Sequence, residues 1–178
     1  MPGVDSLQAG LWVPPGAPFC GQAAPGLVPN RAMLMRFPCP RSMSISKIAF
    51  FIVAAATADD PCDVGIYDSA ANPVNRLGSS GSVLGQLNST GMKQVSLTAP
   101  VALVQGQIYY AAFAVGAIGG TGAIYQGTQT DITGGGRVVM FGTVPPYLEH
   151  GYNATGHPLP ATLAIGAIGN APIMALLQ

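Results

Sequence analysis

From Arg31 onward the chain alternates short apolar segments with clusters of turn-forming residues. The apolar runs fall at Ala32–Phe37, Ile45–Ala55, Asp63–Tyr67, Val74–Leu77, Gln94–Leu97, Ile108–Val115, Ala123–Gln126, Arg137–Phe141, Thr162–Ile165 and Ile173–Leu177. Their separators, such as Asp68-Ser69-Ala70-Ala71-Asn72-Pro73, Gly78-Ser79-Ser80-Gly81 and Gly134-Gly135-Gly136, supply tight turns. The pattern predicts an all-β domain over residues 31–178, an antiparallel β-sandwich of jelly-roll-like type. Alanine-rich pieces such as Ala54-Ala55-Ala56 and Ala111-Ala112 would favour helix by propensity alone. With 24 Gly and 16 Pro, few helix-length windows escape a breaker, and no charged i,i+4 pairs support an exposed helical face.

Residues 1–30 read differently. Pro2, Pro14, Pro15, Pro18, Pro25 and Pro29, interspersed with glycines, exclude helix and break any long strand, so the segment is an extended N-terminal arm. It nevertheless carries Leu7, Leu11, Trp12, Val13 and Phe19, including the single tryptophan, and a disordered linker does not normally hold such residues. Leu11, Trp12, Val13 and Phe19 are therefore the expected partner-binding residues of the arm.

Charge sharpens this picture. Only 8% of residues are charged and 49% are hydrophobic, against roughly 25% charged in an average soluble domain. Seven basic and seven acidic residues cannot give an isolated surface the usual charge density, so association is expected: a homo-oligomer, trimeric by preference, or incorporation into a larger assembly. Net charge is zero and the Lys and Arg residues are scattered, which disfavours nucleic acid as a partner. The longest apolar run, Ile48–Ala58, is too short to span a membrane as a helix, and Pro160, Gly166, Gly169 and Pro172 interrupt the C-terminal one, so no membrane partner is expected. The N-terminus shows no secretory-signal pattern.

Candidate chemistry is sparse. Cys20, Cys39 and Cys62 match no zinc spacing and read as buried thiols. His150 and His157 have no serine elbow or cysteine beside them in sequence, so no catalytic residue, cofactor site or metal site is assigned, and Glu149, His150 and His157 read as solvated loop residues. Asp59-Asp60-Pro61-Cys62-Asp63 is the densest acidic cluster and reads chiefly as a turn, with calcium as the alternative. Tyr109 and Tyr110 must point to opposite faces of their strand. Tyr147 and Tyr152, next to Pro145-Pro146 and Gly151, are the better ligand-contact candidates.

Three stretches carry a resemblance. Val64-Gly65-Ile66-Tyr67-Asp68-Ser69-Ala70-Ala71-Asn72-Pro73-Val74, then Val95-Ser96-Leu97, then Val101-Ala102-Leu103-Val104-Gln105-Gly106-Gln107-Ile108-Tyr109-Tyr110-Ala111-Ala112, resemble the β-sandwich modules of tailed-bacteriophage virion proteins. The resemblance spans roughly Ile45 to Val115 and implies a non-enzymatic structural protein of the virion: a capsid decoration, head-fibre or minor tail protein, assembled in the host bacterial cytoplasm and contacting major capsid or tail proteins. Carbohydrate-binding modules share the same cadence, so a module that binds a host-surface glycan or receptor is the alternative.

Overall fold

A computed structural model describes residues 11–12, 22–23, 28–116, 123–127, 152–153, 156–165, 171–172 and 174–178. They form strands β1 (Leu11–Trp12), β2 (Gln22–Ala23), β3 (Arg31–Pro38), β4 (Met43–Ala54), β5 (Cys62–Tyr67), β6 (Val74–Ser79) and β7 (Gly91–Leu103). The remainder are β8 (Ile108–Val115), β9 (Ala123–Gly127), β10 (Tyr152–Asn153), β11 (Thr162–Leu163), β12 (Ala171–Pro172) and β13 (Met174–Leu177). The chain is all-β with antiparallel pairing throughout, and no helix occurs among the described residues. Accordingly, no described helix is long and apolar enough to cross a membrane.

The strands build two sheets. A six-stranded sheet has the order β10-β3-β8-β5-β6-β11. A seven-stranded sheet is centred on β4, which pairs β7 through Met43–Ile52 and also pairs β13 and β9. One apolar core lies between the sheets, consistent with a β-sandwich: Met33, Met35 and Phe37 of β3, Val64 and Ile66 of β5 and Phe113 of β8 meet Ile48, Phe50 and Ile52 of β4 and Leu176 of β13. Phe50 and Phe113 close this seam edge to face, with ring centroids 4.9 Å apart.

Most predicted runs form strands near the expected positions. The run expected at Gln94–Leu97 extends instead to Gly91–Leu103, through Pro100. The proline is tolerated because Leu97–Pro100 has no partner on β4, where the register shifts between Ile45 and Lys47, so its missing N–H breaks no ladder bond. The run expected at Arg137–Phe141 lies outside the described residues. Of the residues expected to form an arm, Leu11–Trp12 (β1) pair β13 (Leu11 opposite Leu177, Trp12 opposite Leu176) and Gln22–Ala23 (β2) pair β9.

A second cluster covers the opposite face of the six-stranded sheet. Ala32 and Leu34 of β3, Tyr110, Ala112 and Ala114 of β8, Tyr67 of β5 and Val74 of β6 pack there with Leu159 and Leu163, and Ile165 joins them. Residues 156–165 thus lie over that face as a strap, and β3, β5 and β8 are largely buried on both sides for this reason. Tyr109 faces the inter-sheet core and Tyr110 the strap, the opposite orientations that strand alternation requires.

Candidate functional site

The strap crosses a trough of small side chains, and the packing leaves room for nothing larger. A Cβ on Gly65 would stand 2.8 Å from the Gly78 carbonyl oxygen and 3.0 Å from Leu159 Cδ1. A Cβ on Gly156 would strike the backbone nitrogen of Ala32 and come 2.8 Å from its Cα. Asn30 takes a left-handed φ of 54° just before β3, and its carbonyl accepts from the Gly156 N–H at 2.8 Å.

At the centre of this layer lies Asp63, buried with no solvent exposure. Strand alternation directs it to the strap side of β5, where the Leu159 N–H donates to Oδ2 at 2.9 Å and the Ser80 hydroxyl is 3.0 Å from Oδ1. Ser80 Oγ in turn accepts from the Val64 N–H at 3.0 Å and lies 2.8 Å from the Gly81 carbonyl. A wholly buried carboxylate persists only when its oxygens are hydrogen-bonded, and both are.

Further polar contacts fasten the strap toward β6. Tyr67 donates its hydroxyl to the Pro160 carbonyl at 2.7 Å, and the Arg76 guanidinium donates through Nη1 to the Leu159 carbonyl. The Arg76 N–H donates to the Ala161 carbonyl at 2.8 Å, Thr162 and Leu163 pair Asn75 and Val74, and the Ile165 N–H donates to Asn72 Oδ1 at 2.9 Å. Burial pushes the Tyr67 phenol well above its ordinary value, with Arg76 opposing and Asp63 adding to the rise. Burial, reinforced by Asp63, lifts the Cys62 thiol to about 12.

His157 sits at the upstream end of the strap, half-buried, with Nε2 3.4 Å from Ser82 Oγ. Burial holds the imidazole below its ordinary value, and the Asp63 charge opposes that shift. This corrects the solvated-loop expectation for His157, which is half-buried beside Gly116. Ser82, His157 and Asp63 do not complete a nucleophile–base–orienter chain: both Asp63 oxygens are engaged by Ser80 and Leu159, and no hydrogen bond joins Asp63 to His157 among the described residues. Glu149 and His150 lie outside the described residues.

The acidic cluster is likewise divided. Asp59 Oδ1 accepts from the Gly85 N–H at 2.6 Å, Asp60 is buried, and Asp63 belongs to β5 and not to a turn. No group of three or more His, Cys, Asp or Glu able to hold a metal occurs among the described residues. Cys39 and Cys62 are buried free thiols, while Cys20 lies outside the described residues.

Of the residues expected to bind partners, Leu11 and Trp12 lie on β1, while Val13 and Phe19 fall outside the described residues. Of the expected ligand contacts, Tyr152 lies on β10 opposite Met33, and Tyr147 falls outside the described residues. The strap cluster was missed because its members come from separate segments, each ordinary in sequence. A signal did exist: Val64–Tyr67 and Ile108–Val115 carry no polar alternation, which demands cover on both faces. No protein-family model matches the chain, and no curated protein matches it.

Proposed function

We propose that this chain is a non-enzymatic structural protein of a tailed-bacteriophage virion, decorating the capsid or forming part of the tail. The observation that supports the reading is that the first and last of the stretches bearing the resemblance, Val64–Val74 and Val101–Ala112, are joined in one structural unit. Asp68 clasps the β5–β6 hairpin, accepting from the Asn75 N–H at 2.8 Å and from Asn75 Nδ2 at 3.0 Å. Ser69 donates to the Ile108 carbonyl at 2.7 Å, tying that hairpin to the start of β8, where the last stretch continues. The low charge content fits a surface largely taken up in contacts, and a homo-oligomer, trimeric by preference, belongs to the same proposal.

The finer jelly-roll reading rests on the chain crossing between the sheets at β3→β4, β4→β5, β6→β7, β7→β8 and β8→β9. The arm is proposed to reach the assembly through Leu11, Trp12, Val13 and Phe19, and β1 stands at one end of the seven-stranded order, where an added contact would meet it. Mass spectrometry of gradient-purified particles is the test. A fixed copy number supports the proposal, hundreds indicating capsid and a handful tail. Absence of the chain from particles, or glycan-array binding lost in Tyr147→Ala and Tyr152→Ala, overturns it in favour of a glycan-binding module.

A further inference from the structure

The sandwich treats its two outer faces differently. The strap covers that of the six-stranded sheet. In the seven-stranded sheet, Ile48, Phe50 and Ile52 of β4, Val95 of β7 and Leu176 of β13 belong to the core, so strand alternation turns Ala49 and Phe51, Met92 and Gln94, and Ala175 outward. Phe51 and Met92 stand directly opposite each other in the β4–β7 ladder and are 37% and 62% exposed, which makes them one contiguous apolar patch. Among the described residues, the outward positions of Lys47–Val53, Met92–Ser96 and Ala175–Leu177 carry a single charge, Lys47. Sheets also associate edge to edge, and β7, the strand that flanks β4, carries features that deter this. Lys93 lies opposite the buried Phe50 and so leans to the core side, its ammonium donating to Ser89 Oγ at 2.6 Å, and the bulge with Pro100 follows.

We propose that two copies of this chain pack the outer faces of their seven-stranded sheets together, with Phe51 and Met92 of each copy at the centre of the contact. The inference rests on the homo-oligomer of the functional proposal and assigns a surface to it. A face that meets itself must keep like charges apart. From Lys47 to Phe51 is about 13 Å along the strand. A two-fold axis running across the strands at the Phe51–Met92 pair therefore sets the two Lys47 backbones about 26 Å apart, well beyond a screening length of about 8 Å. Gln94 and Ser96 border the patch, so an apolar centre with Phe and Met meets a polar rim, as in protein–protein interfaces. Being two-fold, the contact joins monomers into a dimer or trimers into a hexamer.

Light scattering of the full chain at micromolar concentration tests the face, with Met92→Lys as the variant and Val104→Lys, an exposed apolar position beyond the far end of β7, as the control. The wild type should contain an even number of copies. Met92→Lys should halve the mass and raise the dissociation constant roughly thirtyfold or more, while Val104→Lys stays within about threefold. Peroxide oxidation of wild-type Met92, mapped by peptide mass spectrometry, should slow about fivefold or more between nanomolar and tens of micromolar protein, with no substitution made. An unchanged mass in Met92→Lys, equal dissociation by Val104→Lys, an oxidation rate independent of concentration, or a trimer as the largest species overturns the face while leaving the homo-oligomer standing. A wild-type monomer overturns both, and if Met92→Lys then lowers the copy number in purified particles, the face docks on another virion protein instead of a second copy.

Discussion

Among the described residues, replacing Asp63 by alanine removes the one acceptor of the Leu159 N–H and one of two acceptors within reach of the Ser80 hydroxyl. The two losses are unequal. Ser80 can turn its proton to the Gly81 carbonyl, 2.8 Å away, whereas the Leu159 N–H has no alternative among the described residues. A hydrogen bond to a charged acceptor contributes about 1.5–3 kcal/mol, and an orphaned buried donor costs about 1–3 kcal/mol, partly offset because a carboxylate no longer has to be buried. The net expectation is about 2–4 kcal/mol, or roughly 5–15 °C in thermal midpoint for a chain of this size. Asp63→Asn separates geometry from charge. Its amide oxygen can face the Leu159 N–H, and its NH2 can donate to Ser80 Oγ once that hydroxyl turns to Gly81, so the loss should stay near about 1 kcal/mol. Urea unfolding of both variants measures this. An Asp63→Ala loss below about 0.5 kcal/mol, or an Asn variant as unstable as the Ala variant, would refute the keystone role.

Gly65→Val places side-chain atoms against the Gly78 carbonyl and Leu159 and should cost about 2 kcal/mol or more by urea unfolding; a neutral effect would show that the strap yields freely there. Tyr67→Phe removes only the donor to the Pro160 carbonyl and should cost about 1 kcal/mol, with unchanged stability counting against a fastened strap. Cys62, raised to about 12 in the fold, keeps its proton after the unfolded thiol has lost its own. Its contribution is therefore complete below the ordinary thiol value of 9.0 and is lost as pH climbs toward about 12, at roughly 1.4 kcal/mol per pH unit. Cys62→Ala should flatten that alkaline limb, and an unaltered slope would remove the assignment. Light scattering at micromolar concentration should show a homo-oligomer, and a clean monomer would end that part of the functional proposal.

Strand positions were legible because half-buried and fully buried strands leave marks in the local pattern. Ile108–Val115 was placed at its observed bounds, and Val74 was placed at the start of its strand, by the turn residues that flank them. What covers a strand leaves no such mark. Residues 156–165 carry Pro158, Pro160 and Gly156, the composition of an exposed loop, and their burial depends on Ala32, Gly65, Ala112 and Ala114, which are remote in sequence. Asp63 carries two marks in the sequence: it opens the Asp63–Tyr67 run, which β5 contains, and it ends the Asp59–Asp63 cluster, which looks like turn chemistry; neither mark shows that its strand register turns it toward Leu159. The β1 and β2 pairings were illegible because two-residue strands carry no period at all.

The buried polar groups and the small side chains of the strap layer answer one physical problem. A trough lined by Ala32, Gly65, Ala112 and Ala114 offers nearly uniform apolar contact, so Leu159 and Leu163 alone would define where the strap lies only weakly. Hydrogen bonds supply the missing register because they are directional and expensive to leave unmade. The Leu159 N–H meets one carboxylate oxygen, the Pro160 carbonyl one phenol, and Ile165 presents both its N–H and its carbonyl to the side-chain amide of Asn72. A slip of one residue along the trough would take the Leu159 N–H from Asp63 and the Pro160 carbonyl from Tyr67 at once in a water-poor layer, which disfavours neighbouring registers even where the apolar contacts would tolerate them. The strap is thus attracted by small apolar residues and located by polar ones, Asp63, Tyr67 and Arg76 fixing its upstream half and Asn72 with the β6 ladder its downstream half.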